Sequence, residues 1–259
     1  MISASKLKKA QNAAEASQPY VNKLNYLAKA LEQRIDKENR HQYMNSQEDI
    51  KAKLLIVISP DKGLCGGLVT NLLREVIHYN NTGKTYYITI GKKAERAVAS
   101  LNKEVIASFP FGTSLPPFET VFPIAKLINE YFLGKKVSEV TILSTKFTSV
   151  FSQTPAQNPL LPVRLEEKVE TDKSVTLFEP GIDYLLPDLL QHYLEMVIYQ
   201  SLLESYASEQ ASRMIAMKNA TDNALDIISE LKLEYNKTRQ EKITNELLDI
   251  TGGSQITYE

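Results

Sequence analysis

From Pro187 to Ile250 the chain runs for 64 residues with no glycine and, after Pro187 itself, no proline, while apolar residues recur at helical spacing almost throughout. That pattern predicts a single α-helix about 95 Å long, at about 1.5 Å of rise per residue. A compact domain of this chain's size is only about 40 to 50 Å across. Most of such a helix must therefore pair with another helix or enter a partner.

The pairing surface can be read from the spacing. Between Leu186 and Tyr235, fifteen positions follow an alternating three-four step. Twelve are apolar: Leu186, Leu189, Tyr193, Met196, Leu203, Ala207, Met214, Met217, Ala224, Ile228, Leu231 and Tyr235. Gln200, Gln210 and Thr221 are the exceptions. Beyond Tyr235 the same positions become Thr238, Lys242, Asn245 and Asp249, and only a thin stripe of Ile243, Leu247 and Ile250 remains. The seam of a coiled coil thus ends about four turns before the helix does.

A matching seam lies at the other end of the chain. Within Ser3 to Arg40, Leu7, Ala10, Ala14, Ser17, Val21, Leu24, Ala28, Leu31 and Ile35 keep the three-four step, with a local kink expected at Pro19. This segment carries eight Lys or Arg against four Asp or Glu, whereas Pro187 to Ile250 carries six against eleven. Opposite charge favours pairing, but an exposed ion pair contributes only about 0.2 to 1 kcal/mol, so burial along the seam dominates. With a domain between them, the two helices are expected to form an antiparallel coiled coil. The last seam outruns the first by 21 residues, about 32 Å of helix, so Ala224, Ile228, Leu231 and Tyr235 are expected to be poorly covered.

Between the helices the pattern changes. Short β-rich runs at Leu54 to Ser59, Thr85 to Ile90 and Val140 to Ser144 alternate with helical periods at Leu68 to Tyr79, Lys92 to Leu101 and Val121 to Phe132. This predicts an α/β fold with a mainly parallel, Rossmann-like sheet. Thr148 to Pro162, rich in proline and polar residues, reads as a loop, with Val163 to Val169 and Val175 to Phe178 as edge strands. The organisation expected is residues 1–45 as the N-terminal coiled-coil helix, 50–180 as the central domain and 182–253 as the long C-terminal helix.

Composition narrows the function classes. The net charge of -1 among 259 residues gives no overall attraction to nucleic acid. The longest apolar run, Leu54 to Ile58, is far short of the roughly 20 residues of a membrane span. One cysteine, Cys65, and three scattered histidines, His41, His78 and His192, offer no metal-ligand spacing. No metal or cofactor site is expected.

Asp61-Lys62-Gly63-Leu64-Cys65-Gly66-Gly67 follows a strand and opens a helix, the position of a phosphate-binding loop. It lacks both the Lys-Ser/Thr ending of a P-loop and the glycine spacing of a dinucleotide fingerprint, so a tight, closely packed turn is expected. Cys65 has no histidine near it in sequence to make it a nucleophile. His192 and Glu195, one helical turn apart, read as an ordinary helical pair rather than an acid-base couple. No catalytic constellation emerges. The late polar cluster, Tyr235 to Gln240 with Thr244, Asn245 and Glu246, surrounds a helix whose seam has ended, as suits a rod inside another protein's bore.

Four segments, "SASKLKKAQ" at Ser3 to Gln11, "DKGLCGG" at Asp61 to Gly67, "ASEQASRMIAMKNATDNA" at Ala207 to Ala224 and "YNKTRQEKITNELLDITGG" at Tyr235 to Gly253, resemble the gamma subunit of the F-type ATP synthase. Lys62 stands where an arginine is most common in that family. The resemblance implies a non-catalytic rotor inside a hexamer of alpha and beta subunits, associated with an epsilon subunit. It further implies a foot on a membrane c-ring, at the cytoplasmic face of a bacterial membrane, and no nucleic-acid partner. It also implies partner contacts for Arg239 and Gln240, for Arg213 and Met214 in the shaft, and for Glu179 in the foot. Family members carry roughly two dozen further residues before the position matched by Met1, which would supply the unmatched seam. A nucleotide-binding α/β enzyme and a coiled-coil adaptor are the competing readings.

Overall fold

Helix α1 runs Ile2–Glu32 in the computed structural model, which describes residues 2–32, 41–45, 47, 50–79, 83–163 and 181–255. Its seam follows the three-four step. Leu7, Ala10, Leu24, Ala28 and Leu31 are buried, Ala14, Ser17 and Val21 are half-buried, and the helix continues through Pro19. Ile35 lies outside the described residues.

Five strands form one sheet: β1 (Lys53–Ile58), β2 (Thr85–Ile90), β3 (Glu104–Phe109), β4 (Glu139–Phe147) and β5 (Gln153–Leu161), in the order β3-β2-β1-β4-β5. All neighbours are parallel except β4 and β5. Helices α2 (Leu68–His78), α3 (Lys92–Ser100) and α4 (Val121–Leu133) make the crossovers. This is the strand order of a Rossmann-like half-sheet with one antiparallel strand added.

The central strand explains why both faces are covered. Alternate side chains of a strand point to opposite faces, and the uninterrupted apolar run of β1 therefore feeds two cores. Leu54, Ile56 and Ile58 join α1, α4 and α5 in the larger core, whereas Leu55 and Val57 meet Leu72 and Val76 of α2 and Ala94 and Val98 of α3. Ile56 pairs in register with Ile88 on one side and Ile142 on the other.

The expected loop at Thr148 to Pro162 is a correction, since Gln153–Leu161 is the antiparallel edge strand β5. Proline is tolerated on an edge strand, where one row of N–H groups needs no ladder partner; Pro155 and Pro159 pair with Thr145 and Thr141. Val163 lies outside any strand, and the remaining residues of the two expected edge strands are outside the described set. β3 is the opposite edge, absent from the expected strands; its apolar run is only Val105 to Ala107, half-buried between exposed Glu104 and Ser108.

Helix α5 spans Ile182–Gln255, beginning before Pro187 and continuing past Ile250. The chain divides into two compact units, Met1–Ile215 and Ala216–Glu259. In the first unit α5 is antiparallel to α1: Tyr20 meets His192 at 2.9 Å, and Ser17 bonds Gln200 further along α5. Leu190, Leu194, Ile198, Leu202, Tyr206 and Ala211 of α5 are buried in the core with α1, α4 and the sheet. In the second unit every residue from Met217 to Ile250 is exposed. Ile228, Leu231 and Tyr235 show 47%, 57% and 69% of their surface, and Ala224 is exposed as well, so these positions are poorly covered, as the unequal seams imply.

Candidate functional site

At the C-terminal end of β1 the chain enters the Asp61–Gly67 loop, and the first task of that loop is structural. Helix α3 starts after Gly91, which has φ 97° and no side chain to cap the helix. Its free N–H groups are satisfied instead from the segment that follows β1. Ser59 Oγ accepts the Ala94 N–H at 2.7 Å, and Asp61 Oδ1 accepts the Lys92 N–H at 2.8 Å. The other Asp61 oxygen accepts the Gly112 N–H at 2.8 Å. Asp61 thus holds two parts of its own backbone, one with each carboxylate oxygen, and its place in the turn is accounted for without a ligand.

The loop then turns through two left-handed residues, Leu64 at φ 63° and Gly66 at φ 56°. Leu64 is 74% exposed, an apolar side chain held outward, while Cys65 beside it is buried. Burial pushes the Cys65 thiol above its ordinary value, with Arg213 pulling the other way. A nucleophilic cysteine needs the reverse shift.

One turn and a half of α5 closes over this edge. Tyr206 donates its hydroxyl to Thr113 O at 3.2 Å, Ser208 Oγ donates to Thr145 O at 3.2 Å, and Ser212 Oγ donates to Gln153 Oε1 at 2.8 Å. Lys6 of α1 donates to the same Thr113 carbonyl. Open doubly wound sheets bind their ligands outside the C-terminal ends of the strands. Here α5 occupies that place, which gives the phosphate-loop reading no support.

Arg213 completes the closure. Its Nε donates to Gly63 O, its Nη2 donates to Lys62 O and Gly63 O, all at 3.3 Å, and its Nη1 lies 2.5 Å from Glu209 Oε1. The Glu209 side chain is 3% exposed, and its Oε2 has no hydrogen-bond partner among the described residues. Burial pushes the Glu209 carboxyl upward more than the Arg213 hydrogen bond and charge pull it down; Asp61 adds to the rise and Lys6 opposes it. The ion pair alone would favour the carboxylate, but desolvation at this depth outweighs it.

His192 and Glu195 are brought together loosely, Nδ1 to Oε2 at 3.7 Å, and Tyr20 of α1 bonds the other ring nitrogen. The group joins α1 to α5. Gln200, a polar exception in the seam, donates to Gln18 Oε1 at 2.8 Å and to Glu204 Oε1 at 3.1 Å, so its amide is satisfied inside the interface. Among the described residues no group of three or more His, Cys, Asp or Glu is arranged to hold a metal ion, and no helix is long and apolar enough to cross a membrane.

Of the residues singled out by resemblance, Arg213 and Met214 stand at this junction, Arg213 engaged by its own chain and Met214 half-buried against the core. Arg239 and Gln240 are exposed in the unit Ala216–Glu259. Glu179 lies outside the described residues. Glu209 and Ser59 carry much of the geometry and have only a faint trace in sequence: a Glu and an Arg four residues apart, and a serine closing a strand.

The family model described as ATP synthase matches residues 1–255. The ATP synthase gamma chain of Dehalococcoides mccartyi strain CBDB1 is 37% identical over 256 residues, covering 98% of this chain and 90% of that one. That of Ruthia magnifica subsp. Calyptogena magnifica is 38% identical over 260 residues with the same coverage. The chain belongs to the ATP synthase gamma-chain family. Among solved structures, the central stalk and c-ring structure of the Tetrahymena thermophila mitochondrial ATP synthase contains a chain that matches with a TM-score of 0.61 and 25% identity, over 85% of this chain and 96% of that one. A chain in a Euglena gracilis mitochondrial ATP synthase structure shares the fold with a TM-score of 0.63 at 19% identity, over 98% and 95%. The gamma-chain relatives are matched along nearly the whole chain, so the loop at Asp61, the Arg213 turn and the polar end of α5 all fall within the family match.

Proposed function

We propose that this chain is the central-stalk rotor subunit of an ATP synthase. It couples the turning of a membrane ion-translocating ring to ATP synthesis or hydrolysis in a hexamer of alpha and beta subunits, with an epsilon subunit bound beside it. It holds no catalytic site of its own and sits peripherally at the cytoplasmic face of the bacterial membrane. The reading rests on one observation above all: the unit Ala216–Glu259 leaves Leu225, Ile228, Leu231 and Tyr235 exposed along a helix that carries no core of its own. Apolar surface of that extent marks a protein-binding face, and the polar residues that follow, with Arg239 and Gln240 among them, suit contacts that must be made in several orientations.

Within this reading Arg239 and Gln240 touch loops of the catalytic subunits, Arg213 and Met214 lie in the shaft region, and Glu179 faces the membrane ring. An asymmetric shaft then biases three otherwise equivalent catalytic sites through differential contacts, the only means by which one subunit can shift another's equilibrium. The test is reconstitution with the alpha and beta subunits. Co-purification as one complex, with ATP turnover that depends on this chain, is expected. A chain that never associates, even when an N-terminal extension encoding an amphipathic helix is added, would overturn the reading.

A further inference from the structure

We infer that Arg213 is a positioning residue: its guanidinium ties the Asp61–Gly67 loop to α5, so that the exposed face of the loop moves with the shaft helix. The role within the complex rests on the rotor reading, whereas the tie itself belongs to the isolated chain.

The first three residues of the loop are held in two different ways. Asp61 fixes one end to α3 and to Gly112. The carbonyls of Lys62 and Gly63 turn inward to Arg213, a residue of α5. These carbonyls belong to an irregular turn, Lys62 exposed and Gly63 half-buried, and the guanidinium gives them a partner within the chain. The planar guanidinium serves two adjacent carbonyls and a carboxylate at once from a rigid fork of donors, a geometry that lysine's point charge does not hold. Glu209, one turn back on the same helix, aims the fork, and the Arg213 side chain is 17% exposed. What the loop presents outward is Leu64 with Lys62; what it buries is Cys65.

Cys65 is the sole cysteine of the chain, and its burial makes it a reporter of the tie. A thiol reagent reaches it when the loop opens locally, before the whole molecule unfolds. Arg213→Gln removes the fork while leaving the sheet and the seam residues intact. Dithiobisnitrobenzoate labelling of Cys65 in the full chain is then expected to accelerate by about tenfold or more, with Arg213→Lys intermediate. Leu202→Ala, a core truncation remote from the loop, serves as the control. If the acceleration in Arg213→Gln is no greater than that of Leu202→Ala at equal distance from its own unfolding midpoint, Arg213 acts only through global stability and the inference falls.

The consequence for coupling is read in the complete enzyme, membrane ring included and reconstituted in vesicles, as ions moved per ATP hydrolysed. Loss of that ratio in Arg213→Gln, partly restored by Arg213→Lys, is expected. An unchanged ratio in an assembled Arg213→Gln complex overturns the functional half of the inference. Failure of the unaltered chain to assemble would instead sink the rotor reading, while the Cys65 labelling result would still decide the tie.

Discussion

Asp61 accepts the Lys92 N–H at 2.8 Å across the sheet edge and thereby caps a helix whose own N-terminal residue, Gly91, offers no side chain. The same carboxylate holds Gly112. Asp61→Ala removes both bonds, and a loss of about 1 to 3 kcal/mol is expected from capping and charge-assisted hydrogen bonds together. Asp61→Asn keeps an acceptor and should lose less. Urea unfolding measures both. Because Asp61 caps its own chain and α5 lies across the strand ends where a ligand would sit, magnesium-ATP should leave the midpoint unmoved. A concentration-dependent rise would revive the enzyme reading through mass action.

The glycines near this loop are not equivalent. A Cβ on Gly91 would lie 1.9 Å from Ser59 O, and the residue has φ 97°. Gly91→Ala must break the join between β1 and α3 and is expected to cost more than about 4 kcal/mol or to prevent folding. At Gly67 the nearest atom to an added Cβ is the flexible Asn71 amide at 3.8 Å, and φ is -81°. Gly67→Ala should stay within about 1 kcal/mol of the parent. Soluble yield and thermal midpoint separate the two.

These contrasts show why some of the molecule could be read from sequence and some could not. β1, β2 and α2 to α4 carry strong local signals, a run such as Leu54 to Ile58 or a clean helical period, and their observed limits differ from the expected ones by about a residue. β5 carries none, because its residues are mostly polar and its register is set by β4 rather than by its own pattern. The seam of α1 was legible since a single partner helix imposes a single period. α5 was less so: from Ser201 to Ala211 it is buried at every position but one, and a helix enclosed on several sides has no single stripe to count. The Arg213 junction joins residues 150 apart in the chain, a distance at which spacing carries no information.

Glu209 should leave a pH signature. Burial raises its folded carboxyl above the ordinary value of 4.5. The folded state therefore holds its proton more tightly than the unfolded chain, and by linkage stability falls as pH climbs through the window between the two values. The sign is opposite to that of an acid stabilised by a dominant ion pair. Glu209→Gln cannot titrate, so the stability difference between parent and variant should shift in favour of the variant as pH rises from 4.5. Parallel urea titrations across that range measure the slope. A parent that gains stability relative to the variant over the same window would mean that Arg213, not burial, governs this carboxyl.

Two leucines of α5 should respond oppositely to their surroundings. Leu202 is fully buried in the core, whereas Leu231 is 57% exposed in the unit Ala216–Glu259. In the isolated chain Leu202→Ala should cost about 2 to 5 kcal/mol through lost burial and the cavity left behind. Leu231→Ala should change stability by no more than about 0.5 kcal/mol, as for other exposed sites. In the reconstituted complex the exposed position should matter. Leu231→Asp, Tyr235→Asp and the pair Arg239→Ala with Gln240→Ala are expected to weaken association with the alpha and beta subunits or to lower ATP turnover, although none touches the core of the free chain. If these variants assemble and turn over as the parent does, while Leu202→Ala alone reduces assembly, the exposed stripe is not the face that meets the hexamer. The partner-binding surface would then have to be sought on the unit Met1–Ile215 instead.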